Sequence, residues 1–85
     1  MSVLFLTESD VESLIDMPSS IEVVERAFAA LADGSAVNVP RARASAPGFL
    51  LHSMSATAEY RGVAGWNTYT TTTAGARFHV ALYDL

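Results

Sequence analysis

Four positions in this chain carry side chains suited to chemistry. Arg41 and Arg43 sit two residues apart in a stretch where apolar and polar residues alternate, so a strand would aim both the same way. The planar guanidinium fork binds a carboxylate or phosphate through two hydrogen bonds, which makes an arginine pair on a half-buried face an anion site or simply two solvated surface charges. His52 is a possible general base, although no residue close in sequence orients it. Asn67 stands mid-strand in Gly65-Trp66-Asn67-Thr68-Tyr69-Thr70, where glycine lets another group approach closely. The competing reading of Asn67 is an edge-strand amide that meets water.

The elements that must position these residues follow from periodicity. Residues 62–73 form the longest strand-like run, with Gly65, Asn67 and Tyr69 on one face and Trp66, Thr68 and Thr70 on the other. Val3 to Leu6 is an apolar run, either a strand or a lead-in that packs on the core. A short helix over about 9–16 follows, with Thr7 and Ser9 as possible caps and Ser9 and Glu12 at capping-box spacing. Ile21, Val24, Phe28 and Leu31 define one face of a second helix over about 19–33, opened by Pro18, with Ser19 and Glu22 repeating the capping-box spacing, and closed by Asp33-Gly34. Val37, Val39, Arg41 and Arg43 then alternate with Asn38, Pro40, Ala42 and Ala44. That places two valines and two arginines on one face, and Pro40 implies an edge strand or a bulge. Pro47-Gly48 is a turn, and Leu50, His52 and Met54 share a strand face. Ala56 to Arg61 reads as a connection, Ala74-Gly75 as a turn, and Phe78, Val80 and Leu82 as one face of a last strand. The expected fold is α+β, with two N-terminal helices packed on a mostly antiparallel sheet of about four strands, in a single domain over 1–85.

Composition narrows the functional classes. The 85 residues carry a formal net charge of −4, which argues against general nucleic-acid binding. Residues 1–33 hold seven of the nine acids, whereas residues 34–85 hold four arginines and two acids; the chain has no lysine. With no cysteine there is neither a disulfide framework nor a thiolate metal site. Residues 1–6 lack the basic segment of a signal peptide, no run approaches the ~20 apolar residues of a membrane span, and a cytoplasmic location is expected. A chain this short buries only roughly 60–65% of its unfolded surface.

The order of motifs resembles the N-terminal domain of the ornithine cyclodeaminase/mu-crystallin family. The carrying residues are Leu6-Thr7 through Asp10-Val11, the helix Ile21-Glu22-Val23-Val24-Glu25-Arg26-Ala27-Phe28, and Ala32-Asp33-Gly34. Pro40-Arg41-Ala42-Arg43, Met54, Gly65 through Thr70, and Gly75-Ala76-Arg77-Phe78-His79-Val80 continue the series, so the likeness covers nearly the whole chain. The resemblance implies a domain that pairs with a Rossmann domain binding NAD or NADP, in cyclodeaminases and amino- or imino-acid dehydrogenases. It implies that the sheet pairs with its copy in a homodimer and walls the substrate cleft. On this resemblance Arg41 grips the substrate carboxylate, with Arg43 the alternative if the register slips, and Met54 lies nearby.

The sequence departs from the family pattern in three places. Asn67 stands where the family usually has a lysine that binds and polarises the amino or imino acid. A hydrogen bond involving a charge contributes roughly 1.5–3 kcal/mol, so its loss weakens substrate handling about ten- to a hundredfold or more. Met54-Ser55 lacks the proline often found after that methionine. These 85 residues also contain no Gly-x-Gly-x-x-Gly, the turn a dinucleotide needs at a helix N-terminus. The expectations are therefore no cofactor bound by this chain, catalytic silence by itself, and self-association through the sheet. The sequence allows a partial family member, a free-standing dimerisation module, or a small enzyme pairing His52 or His79 with Asp84 or Glu59. The last finds no nucleophile, base and orienter at useful spacing.

Overall fold

A computed structural model describes residues 2–85. The chain runs through helices α1 (Glu8–Leu14) and α2 (Met17–Asp33), then strands β1 (Ala36–Ala46) and β2 (Phe49–Ala58), a 3-10 turn (Glu59–Arg61), and strands β3 (Val63–Thr72) and β4 (Gly75–Asp84). The strands form one antiparallel sheet in the order β1-β2-β3-β4. This is the expected α+β class: two helices, then a four-stranded antiparallel sheet. Every connection within the sheet joins neighbours, because loops this short can only return the chain beside the strand it has just left.

Both helices start earlier than the capping-box spacing implied. Thr7 caps α1: its Oγ1 accepts from Asp10 N at 3.2 Å, while its own N–H donates to Asp10 Oδ2 at 2.8 Å. Asp16 caps α2 by accepting from Ser19 N at 2.8 Å, and Pro18 falls within the first turn. A carboxylate at the cap and a proline whose missing N–H would lack a partner anyway favour this start over Ser19. The helix ends on Gly34, whose φ of 88° is the left-handed conformation that stops it.

The helix α2 touches the sheet at β1, and its buried residue is Ala30. Ile21, Val24, Phe28 and Leu31 are between 42% and 68% exposed. Small side chains therefore make the close contact, leaving the large apolar row uncovered. The run from Val3 to Leu6 forms no strand, and its residues are 47–84% exposed. Met1 lies outside the described residues.

One irregularity sets which side chains share a face. The β1–β2 pairing runs regularly from Ala46↔Phe49 to Ala42↔Ser53, then resumes at Val39↔Ser55. Pro40 and Arg41 thus stand opposite the single residue Met54, a bulge on an edge strand. The extra residue reverses the alternation. Arg41 and Arg43 keep company with Asn38 on one face, and Val37 and Val39 go to the other. Expecting the two valines beside the two arginines was incorrect. Pro40 is the physical reason, since it cannot donate to the ladder and the strand bulges around it.

Candidate functional site

The bulge assembles a row across the sheet. Arg41 lies across from Met54, Met54 pairs with Asn67, and Asn67 pairs with Val80. One residue pair further along the same face, Arg43 pairs with His52, His52 with Tyr69, and Tyr69 with Phe78. The two rows meet where the Arg41 guanidinium carbon lies 5.5 Å from the centre of the Tyr69 ring, within reach of a cation–π attraction.

The second row is a stack. The His52 and Tyr69 rings lie 4.1 Å apart and 5° from parallel; Tyr69 and Phe78 lie 4.6 Å apart at 18°. His52 is 6% exposed, the one buried polar or charged side chain among the described residues. Arg43 Nε–H donates to His52 Nδ1 at 3.2 Å, and His52 Nε2 lies 3.2 Å from Thr71 Oγ1. Arginine can only donate, so Nδ1 must be the unprotonated nitrogen and Nε2–H donates to threonine. Burial holds the His52 pKa below its ordinary value, and the Arg43 and Arg41 charges push it the same way. His52 is thus a neutral ring, hydrogen-bonded at both nitrogens, rather than a free base.

Beside the stack, Met54, Ala58, Val63, Asn67, Val80 and Leu82 line a depression of about 330 Å³. Asn67 Oδ1 is buried there without a hydrogen-bond partner. An unpaired buried carbonyl is costly, and the residue that carries it is one of those lining the hollow. Gly65 makes room for this arrangement. A Cβ at that position would stand 2.7 Å from Ala81 O on β4.

Of the residues singled out in the sequence, Arg41, Met54 and Asn67 come together in one row, with Arg43 alongside. His79 faces the opposite side of the sheet, paired with Thr68, and His52 is bonded to Arg43 and Thr71 rather than to an acid. Tyr69, Thr71 and Phe78 are site neighbours that the sequence reading assigned no role. The Pro47-Gly48 turn held a usable signal. Read as a two-residue hairpin loop, it pairs Ala46 with Phe49 and, counting outward, Arg43 with His52.

Among the described residues no group of three or more His, Cys, Asp or Glu could hold a metal ion, and no helix is long and apolar enough to cross a membrane. A dinucleotide requires a parallel strand leading through a glycine-rich turn into a helix N-terminus. Among the described residues all strands run antiparallel and none leads into an α-helix, so these residues do not fit that cofactor.

No family model and no curated protein matches the sequence. Among solved structures, the crystal structure of a probable ornithine cyclodeaminase from Bordetella pertussis Tohama I is similar, with a TM-score of 0.83 and 31% sequence identity. The similarity covers 87% of this chain and 24% of that one, so this chain spans about a quarter of that protein's length.

Proposed function

We propose that these 85 residues are a partial member of the ornithine cyclodeaminase/mu-crystallin family, equivalent to its N-terminal domain. They provide one wall of a substrate cleft and a sheet that pairs with a second copy. The observation that carries this reading is the row Arg41–Met54–Asn67, built by the bulge in a chain similar to a probable ornithine cyclodeaminase. Arg41 binds the carboxylate of an amino or imino acid. Arg43 is the weaker candidate because its Nε–H is already given to His52. Asn67 accepts a hydrogen bond from the substrate nitrogen, in place of the cationic contact a lysine would make. Met54 and the apolar hollow take the substrate's carbon skeleton. Hydride chemistry belongs to a nicotinamide cofactor, NAD or NADP, bound outside these residues, and the chain alone contributes recognition without turnover.

Self-pairing follows from exposure. Phe78, Val80 and Leu82 form an apolar row on an edge strand, each more than 60% exposed. The test is a chemical-shift titration of the 85-residue chain with acetate and with L-alanine, run beside sedimentation. Shifts centred on Arg41, lost in Arg41→Ala and kept in Arg43→Gln, together with a concentration-dependent dimer, support the reading. Unchanged shifts in Arg41→Ala overturn the carboxylate assignment, and a monomer at high micromolar concentration overturns the pairing.

A further inference from the structure

We infer that His52 decides which of the two arginines is free to hold an anion: it sequesters Arg43 and leaves Arg41 available. The inference rests on the carboxylate reading of Arg41 and deepens it by adding a positioning residue.

Arg41 and Arg43 are both exposed, lie two residues apart and share a face, so nothing in their types separates them. Their surroundings do. Arg43 is held by its Nε–H···Nδ1 bond to a ring that is itself fixed at three points: the arginine, the Thr71 hydroxyl and the parallel Tyr69 ring. An arginine offers a carboxylate its best grip with Nε–H and one terminal N–H side by side, and in Arg43 that edge is taken. Arg41 makes no such bond among the described residues, and its guanidinium rests against Tyr69. His52 and Phe78 flank Tyr69 from the neighbouring strands, so the histidine also sets the plane of the ring that Arg41 leans on.

The arrangement requires neutral imidazole. A protonated ring carries a hydrogen on Nδ1, cannot accept from Arg43, and releases it. The charged or titratable groups facing His52 are Arg41 and Arg43 from β1 and Tyr69 from β3; β4 presents Phe78 in that row. No acid in that row stabilises the cation, so release is confined to pH below the usual histidine range.

The experiment is acetate titration of the 85-residue chain followed by NMR, in a panel crossing His52 with the two arginines. With His52 present, Arg41→Ala weakens acetate binding at least tenfold and Arg43→Gln less than threefold. In a His52→Ala background the two substitutions become equal within about twofold, because the freed Arg43 substitutes for Arg41. His52→Asn restores the preference, since its carboxamide oxygen can stand near the Nδ1 position and accept from Arg43. In the parent chain the preference fades as pH falls through the His52 titration, and in His52→Asn it does not. Thr71→Val keeps the ring and removes one anchor, and reduces the preference partway, which provides a second variant if His52→Ala does not fold. Without any ligand, a slowly exchanging Arg43 Nε–H resonance that disappears as His52 protonates reports the bond directly. If Arg41→Ala still costs tenfold and Arg43→Gln still costs little after His52→Ala, the inference is overturned. If instead Arg41→Ala has no effect even with His52 present, the carboxylate reading fails, and the Arg43 resonance separates the two failures.

Discussion

Replacing Gly65 by alanine tests whether β3 and β4 are packed as closely as the site requires. The added Cβ would stand 2.7 Å from Ala81 O and 2.9 Å from Leu82 Cδ2. The leucine methyl can rotate away. The carbonyl cannot, because it belongs to a backbone laddered to β3 at Trp66↔Ala81 and Gly65↔Leu82. Overpacking of this kind costs about 1–3 kcal/mol. Losing glycine's freedom in the unfolded chain returns about 0.4–1 kcal/mol. The expected net loss is about 1–2 kcal/mol, which lowers the Tm of a domain this size by about 4–16 °C. Thermal unfolding followed by far-UV circular dichroism reads it. Leu82→Ala is the control: it clears the methyl and not the carbonyl, so Gly65→Ala should cost nearly as much in that background. Gly65→Ala melting at or above the parent temperature, or full rescue by Leu82→Ala, would refute the close-approach argument.

Two further predictions concern the site and the helices. Asn67→Leu replaces a buried carbonyl without a partner by an apolar group of the same branching and should raise stability by about 1 kcal/mol in urea unfolding; a lower midpoint would refute the cost assigned to that carbonyl. Asp10, Asp16 and Asp33 have carboxyls held below the usual 3.8, the first two chiefly by backbone N–H donors and Asp33 chiefly by the Ser35 hydroxyl. A depressed folded-state pKa gives stability that is present above the unfolded value and lost as pH falls through the folded one, so the helical signal should decline only below about pH 4. Asp16→Asn, which keeps a capping oxygen and removes the titration, should flatten its share of that decline.

The parts of the fold that obey a simple period were legible in the sequence. The faces of β2, β3 and β4 follow strict alternation, so Asn67 beside Tyr69 and His52 beside Met54 were placed correctly, and Gly34 marked the end of α2. What escaped depended on competition or on distance along the chain. Thr7 and Asp16 outcompeted equally plausible serines as caps. The bulge shifted β1 by one residue; Pro40 signalled that something would give there, but not that the arginines would separate from the valines. The partners of His52 lie 9 and 19 residues away and meet it only through sheet register. The large apolar row of α2 illustrates a different limit, since periodicity shows that a helix has an oily side but not what will lie against it.

The bulge at Pro40-Arg41 also makes the site sensitive to counting. Close the bulge without removing a residue, so that Pro40 pairs with Ser55, and everything from Ala36 to Pro40 turns over. The asparagine at 38 would leave the guanidinium side, and the valines would arrive in its place. Losing one residue between Val39 and Ala42 would instead leave every upstream partner and face as it is, because the single unmatched residue is the one the partner strand has no place for.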